Sequence, residues 1–170
     1  MQTAHKVLIV LAIVAIALWM GGMLALGAIA APVVFRMVPA PTSADAMTVV
    51  FRRFDMVAMA CATLVLLIEV VLAATRKPIT RRDMARCGAL LVAGALAVYQ
   101  GAVLSPSIEA LHRAGAIRGS GALGEDLDHA HRLAVTCGNI VTLLLIMVIA
   151  LHVFSGAARH LALDEETAKA

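Results

Sequence analysis

The chain of 170 residues has the length of one domain, and its composition narrows the class of protein. Hydrophobic residues make up 62% and charged residues 15% of the chain, against ~45–50% and ~25% in an average soluble domain. The net charge of +3 comes from 14 basic and 11 acidic residues and is too small for a nucleic-acid surface. These values exclude a disordered chain, a nucleic-acid-binding module and an ordinary soluble enzyme, and they indicate a membrane protein.

Four apolar stretches are long enough to cross a bilayer as helices. A hydrocarbon core about 30 Å thick requires about 20 apolar residues in a helix, which satisfies its own backbone polar groups. The stretches cover residues 7–31, 56–74, 87–104 and 133–154, and a tail follows over residues 156–170. The sequence therefore predicts one all-α domain over residues 1–170, an integral membrane four-helix bundle whose main partner is the lipid bilayer.

Two segments between the spans have the pattern of short amphipathic helices. After two prolines, Thr42 offers an N-cap to a helix that runs into the second span. Ser105 and Pro106 follow the third span and give a second helix start, with proline at the first position. We expect both short helices to lie at the outer membrane interface.

The distribution of basic residues predicts the orientation of the chain. An even number of spans places both termini on one side of the membrane. The short loop between the second and third spans concentrates Arg76, Lys77, Arg81, Arg82 and Arg86. Because short loops dominate the positive-inside rule, both termini are predicted to be cytoplasmic.

Small residues at helical spacing predict how the spans pack. Inside lipid, helices associate through close contacts at small side chains. The stripe in the third span consists of Ala89, Ala93, Ala97 and Gly101, and a shorter stripe in the first span consists of Ala17, Gly21 and Ala25. We expect both stripes to face neighbouring helices.

Glu69 is the sharpest functional signal, because an acid within a span costs about 2.5–3.5 kcal/mol on insertion scales. It shares a helix face with Ala58, Ala62 and Ala73, so it is predicted to point into the bundle. His152 lies at a similar depth in the fourth span. If these helices touch, the pair could share a proton or hold a metal. The alternative is that Glu69 is neutral or paired with a cytoplasmic basic residue, while His152 reaches the interface.

Other polar residues occur in the outer halves of the third and fourth spans. Gln100 and Asn139 lie at matching depths, and hydrogen bonds between helices explain both without any substrate. Asp128, His129 and His131 at the start of the fourth helix have spacings that let side chains converge on one ion. The alternative is a solvated helix start whose acids match the helix dipole. A metal therefore remains open, and the sequence requires no cofactor.

The chain contains no nucleophile elbow and no phosphate-binding glycine loop, so we expect no enzymatic activity.

Several short motifs occur in a recognisable order. They comprise Trp19, Gly21 and Gly22 in the first span, Pro32 after it, Ser105 and Pro106 after the third span, and His131 and Asn139 at the fourth span. In order and position they resemble the bacterial domain of unknown function shared with eukaryotic transmembrane protein 205-like proteins. His129 is a rival for the histidine of that pattern, and the serine expected shortly after it is absent.

The resemblance implies a four-span protein of the bacterial inner membrane with uncharacterised activity. The eukaryotic relatives are linked to platinum-drug tolerance, which implies an accessory or stress-tolerance role. The W-x-G-G motif also resembles copper-resistance-D-like membrane proteins, although His5 lies about four turns before Trp19 where that pattern has about two.

Three functions follow as hypotheses. The first is an accessory or stress-tolerance membrane component. The second is a small transporter or a metal- or haem-binding four-helix protein that uses Glu69, His152 and His131. The third is a subunit of a larger membrane complex, and a homo-oligomer also remains open.

Overall fold

The structure is a computed structural model that describes residues 2–75 and 79–167, with side chains for residues 3–75 and 79–154. Its elements are α1 (Gln2–Leu24), π1 (Ala25–Ala30), α2 (Ala31–Met37), α3 (Thr42–Thr75), α4 (Arg81–Tyr99), π2 (Gln100–Leu104), α5 (Ser105–Arg113) and α6 (Gly121–Thr167). No β-strand occurs in this described part of the chain. The predicted all-α class is confirmed.

Four continuous helical rods are long and apolar enough to cross a membrane. They cover Thr3–Met37, Thr42–Thr75, Arg81–Arg113 and Gly121–Phe154. The rods extend beyond the predicted apolar stretches because polar residues at both ends continue the helix into the interface. Helix α3, with 34 residues, is about 50 Å long. The segment that begins at Thr42 is thus the first part of α3, and it runs into the span without a break.

The prolines do not end the first and third rods where the sequence suggested. We predicted ends at Ala31 and Leu104, but the helices continue to Met37 and Arg113. A proline ring clashes with the carbonyl four residues earlier and lacks an N–H donor. For Pro32 and Pro106 that carbonyl lies within π1 and π2, respectively, where the wider turn accommodates the ring.

Consecutive rods run in opposite directions and pack as neighbours: the first against α3, α3 against α4, and α4 against α6, with α1 also touching α6. We call the end that holds the start of α1 the terminal end. The opposite end, which holds Thr42 and the 114–120 loop, is the loop end. Contacts across both ends fix this arrangement, since Nε2 of His5 lies 3.4 Å from the Thr75 hydroxyl at the terminal end.

The structure describes only part of the tail predicted over residues 156–170. Helix α6 continues as far as Thr167, and residues 168–170 lie outside the described residues. Arg76 and Lys77, which contribute to the orientation prediction, also lie outside them.

The core runs along the bundle axis and is built from aliphatic and small side chains. Val65, Leu72, Val141 and Leu145 are fully buried. From the small-residue stripe of α4, Ala89, Ala93 and Ala97 are buried, and Gly101 follows in π2. Small side chains here let α3, α4 and α6 approach closely.

The small-residue stripe of α1 faces outward instead of into the bundle. Ala17, Gly21 and Ala25 are exposed, and a Cβ added to Gly21 would meet no atom within 4 Å. The buried face of α1 carries Ala12, Ala15, Ile16 and Trp19, which belong to the core of the bundle. The prediction that Gly21 packs against a helix of the same chain is therefore wrong.

Candidate functional site

Two polar regions lie at opposite ends of the bundle. The first, at the terminal end, consists of Glu69, Asp83, Arg86 and His152, and we call it the terminal-end polar cluster. The second is a cavity near the loop end. The two regions differ in how the charges of their side chains are compensated.

Charged side chains in the terminal-end polar cluster are in direct contact. The Arg86 Nε donates to Oε2 of Glu69 at 3.1 Å, and an Arg86 amino group donates to Oδ1 of Asp83 at 2.5 Å. Oε1 of Glu69 lies 2.6 Å from Nε2 of His152. The cluster therefore connects three helices, α3, α4 and α6.

Burial makes these contacts important for stability. Glu69 and Arg86 are each 1% exposed and His152 is 7% exposed. Apart from each other, Oε1 of Glu69 and Nε2 of His152 have no polar neighbour that satisfies them in the described part of the chain. A buried charge that loses its partner is strongly destabilising, so each member depends on the others.

The start of α4 positions Arg86. Thr80 is the N-cap, its hydroxyl accepts from the backbone N–H of Asp83, and the Asp83 carboxylate accepts from the backbone N–H of Thr80. This capping box fixes the first turn of α4. Asp83 and Arg86 are three residues apart and thus lie on one face, which turns the guanidinium towards Glu69.

Glu69 and Asp83 bring two carboxylates into the cluster, and Arg86 brings the guanidinium that contacts both of them. A buried charge in contact with an opposite charge costs less free energy than an isolated one.

The structure brings Glu69 and His152 together and adds a basic partner. The sequence offered a choice between a Glu69–His152 pair and a Glu69 paired with a basic residue, and both contacts are present. His152 is buried instead of reaching the interface. Sequence reasoning missed Asp83 and Arg86, because they precede the third apolar stretch and were counted with the loop. The three-residue spacing of an acid and an arginine next to a span was the available signal.

The second region is a cavity of about 410 Å³ near the loop end. Its walls come from α1, π1, α3, α4, π2, α5 and α6. Apolar residues that line it are Trp19, Met23, Leu24, Phe51, Phe54, Ala58, Ala97, Ile108, Ala134 and Val135; polar residues that line it are Thr48, Arg52, Asp55, Gln100, Ser105, Glu109, His131, Asn139 and Thr142. A mostly apolar cavity with a few polar groups is the usual form of a small-molecule site.

Asp55 is the acid of this cavity that lacks a basic partner. Its Oδ2 accepts a hydrogen bond from the Ser105 hydroxyl at 2.6 Å. No arginine, lysine or histidine forms an ion pair with it within the described part of the chain. A Cβ on Gly101 would lie 3.2 Å from Cβ of Asp55, so the glycine leaves the room that Asp55 occupies. Ser105 therefore contacts α3, whereas the sequence suggested only that it starts a helix.

The rim of the cavity carries charges that are already paired. Glu109 accepts from Arg52 at 3.2 Å and from Arg113 at 2.5 Å. Both arginines are well exposed, with side chains 65% and 70% accessible. Their interaction with Glu109 joins α3 to α5, and this group of two arginines and one glutamate carries a net positive charge, whereas Asp55 has no described basic side chain in contact with it.

The other polar residues predicted for the spans line this cavity. The Gln100 amide donates to the backbone carbonyl of Ala134 at 3.3 Å, which joins π2 to α6. Asn139 lies on the cavity wall and not in the core. Asp55 and Glu109 were missed by sequence reasoning, because both lie outside the four apolar stretches, where charged residues are common.

The motif residues have different structural roles. Trp19 is buried and forms part of the cavity wall. Gly22 lies against Phe54, whose ring would overlap a Cβ at that position. Pro32 is exposed and follows the π1 segment that contributes to the cavity. Gly21 and Gly22 thus differ, since only Gly22 lies so close to a neighbouring side chain that an added Cβ would overlap it.

The residues proposed for a metal site do not converge. Asp128 accepts from Arg118 at 2.6 Å and from the backbone N–H of Gly119 at 3.1 Å, which binds the 114–120 loop to α6. His129 is exposed, and the His131 ring lies 6.0 Å from that of His112. Among the residues that the structure describes, no group of three or more His, Cys, Asp or Glu side chains is placed to hold a metal ion.

Comparison with known proteins gives one family. A family model described as a domain of unknown function, DUF4149, matches residues 14–116. This region covers most of α1 through α5, including Trp19, Asp55 and Ser105, and it ends before α6. No curated protein and no solved structure matches the chain. The chain therefore belongs to the family of the domain of unknown function DUF4149.

Proposed function

We propose that this protein is a membrane-embedded binding protein for a small amphipathic molecule, which occupies the cavity at the loop end. The observation that carries the proposal is the cavity itself, with its apolar wall around Trp19 and its polar groups at Asp55, Ser105 and Asn139. Such a site holds the apolar part of a ligand by burial and orients its polar part by hydrogen bonds. The role is binding and not catalysis.

This proposal names ligand binding as the activity behind the accessory or stress-tolerance role that the resemblance to transmembrane protein 205-like proteins implies. A protein that binds an amphipathic compound can withdraw it from the membrane or pass it to a partner. A small transporter would share this binding step. Among the described side chains, no group of three or more His, Cys, Asp or Glu supports a metal site.

We also place the protein in the bacterial inner membrane with both termini in the cytoplasm. The support is the basic residues at the terminal end, including Arg81, Arg82 and Arg86 at the start of α4. In this orientation the cavity lies in the outer half of the membrane. A compound that enters the outer leaflet would reach it first.

The single tryptophan provides a direct test, because Trp19 lines the cavity and is the only tryptophan of the chain. The protein in a maltoside detergent is titrated with 6-bromohexan-1-ol, whose bromine quenches tryptophan fluorescence on contact. We expect saturable quenching. Linear quenching without saturation would contradict occupation of the cavity.

A pair of glycine variants controls this titration. Gly138 lines the cavity and a Cβ there meets nothing within 4 Å, so Gly138→Phe has room to project into it. Gly88 is equally open but lies outside the cavity. We expect Gly138→Phe to abolish saturable quenching and Gly88→Phe to retain it. Equal behaviour of the two variants would count against the cavity.

A second function, as a homo-oligomer or a subunit of a larger complex, is favoured by the outward face of α1. Ala17, Gly21 and Ala25 leave a smooth exposed stripe of the kind that lets another helix approach. Gly21→Leu is expected to disrupt any assembly that uses this face. Native mass spectrometry of the unaltered and variant proteins would measure it, and the same oligomeric state in both would argue against this interface.

A further inference from the structure

We propose that the ligand of the loop-end cavity is a lipophilic monocation, such as an alkylammonium compound, whose charge is bound by Asp55. This inference rests on the proposed binding function and specifies the chemical class of the ligand. The evidence for it is the pairing of charged side chains around the cavity.

Three formally charged side chains line the cavity, namely Arg52, Asp55 and Glu109. His131 also lines it. Arg52 is engaged with Glu109, and Glu109 receives a second bond from Arg113 outside the lining. Asp55 has only the neutral Ser105 hydroxyl. Asp55 is therefore the charged side chain of the lining that has no oppositely charged side chain in contact with it among the described residues.

The position of Asp55 suits a cation with an apolar body. The carboxylate is half-buried at the side of the cavity, and Phe51, Phe54 and Trp19 contribute to the same lining. Aromatic faces attract organic cations, and a carboxylate away from bulk water strengthens that attraction. The apolar wall would hold the rest of the molecule.

The hydrogen bond from Ser105 fixes the carboxylate without neutralising it. A hydroxyl that donates to Oδ2 leaves Oδ1 available to a second partner. Gly101 provides the space for Asp55, because a larger residue would press against its Cβ. Residues from α3, π2 and α5 thus hold one acid at one place in the cavity wall.

The test compares three bromohexyl compounds that differ only in their head group. Trp19 quenching is titrated with 6-bromohexyltrimethylammonium, 6-bromohexan-1-ol and 6-bromohexanoate on the unaltered protein. We expect the ammonium compound to bind about tenfold more tightly than the alcohol, because its charge is attracted by the Asp55 carboxylate and by the aromatic rings of the lining. The carboxylate should bind more weakly than the alcohol. This comparison requires no variant.

Two matched variants then assign the preference to a residue. Asp55→Asn keeps the shape of the side chain and can still accept from Ser105, and it should reduce the preference for ammonium to within about twofold. Asp45→Asn makes the same charge change at an exposed position in the first turn of α3 and should retain the preference.

The outcomes separate the two proposals. Equal saturable quenching by the ammonium compound and the alcohol would overturn the cation preference and leave the binding function standing. Tighter binding of the carboxylate would overturn it as well. An ammonium preference that survives Asp55→Asn would remove Asp55 from the site. Absence of saturable quenching by all three compounds would overturn both proposals.

Discussion

At the terminal end, Glu69, Arg86 and His152 are buried in mutual contact, whereas at the loop end Asp55 faces a cavity with only a serine as its partner. In both regions an acid of α3 lies next to α4 or to the π2 and α5 segments that continue it. The regions differ in which group interacts with the charge of that acid. The first acid is matched by residues of its own chain, and the second leaves room for a partner from outside.

This difference indicates why an acid in a span is not by itself evidence of a ligand site. Glu69 is the deeper and more conspicuous acid in the sequence. Its carboxylate is nevertheless in contact with Arg86 and His152, and these contacts join three helices. Asp55 is at the edge of an apolar stretch and is less conspicuous, yet it faces the space in which a ligand fits.

Arg86→Ala should have the largest effect on stability. It leaves the buried Glu69 carboxylate without its guanidinium partner, and removal of one partner of a buried ion pair costs about 3–5 kcal/mol. The measurement is the free energy of unfolding in mixed micelles with a denaturing detergent. Arg82→Ala is the control, because Arg82 is exposed on the same turn and should change stability by less than about 0.5 kcal/mol. A similar small change in both variants would contradict the role of the cluster.

Gly22→Ala should destabilise the protein by about 1–3 kcal/mol, the usual cost of adding a methyl group to a packed position. The new Cβ would overlap the ring of Phe54, which lines the cavity. Gly21→Ala is the matched control one residue earlier, where the added Cβ meets nothing within 4 Å. That change should be neutral or stabilise by up to about 1 kcal/mol through helix propensity. Equal thermal shifts in the two variants would contradict this assignment.

A double-mutant cycle of Glu69→Gln and His152→Gln should give a coupling energy of about 0.5–3 kcal/mol, as expected for contacting residues. The reason is the 2.6 Å contact between their side chains across α3 and α6. Unfolding free energies of the two single variants and the double variant provide the measurement. Additive effects would show that the two residues act independently.

Asp55→Asn should have the smallest effect on stability, at most about 1 kcal/mol, because the asparagine oxygen can still accept from Ser105. The same variant is expected to change ligand selectivity, so stability and binding would separate at the loop end. A loss of stability as large as that of Arg86→Ala would make Asp55 a structural residue like Glu69.

Sequence reasoning located part of each polar region and missed the rest for one reason. It identified Glu69 and His152 because a polar residue stands out against an apolar background, and it identified Gln100 and Asn139 in the same way. Asp55, Asp83 and Arg86 stand at the edges of apolar stretches, where charges are common. Their burial depends on neighbouring helices that a single stretch does not reveal.

The two glycines of the Trp19 motif illustrate a similar limit. A stripe of small residues can pack against another helix, but its spacing does not state which side of the helix faces the bundle. The buried face of α1 combines two small side chains, Ala12 and Ala15, with the larger Ile16 and Trp19. Gly21 consequently faces outward, and Gly22 contacts Phe54.

By itself, the sequence determined the all-α class, the number of apolar rods and the inward acid in the second rod, because hydrophobic length and the cost of a charge in lipid are properties of each segment. Which charges meet and where space remains depend on how the helices pack, because pairing requires the rotation and proximity of helices that lie far apart along the chain. Arg86 reaches Glu69 while Asp55 is left with Ser105, and that difference is set by the packing of α3 against α4 and α5.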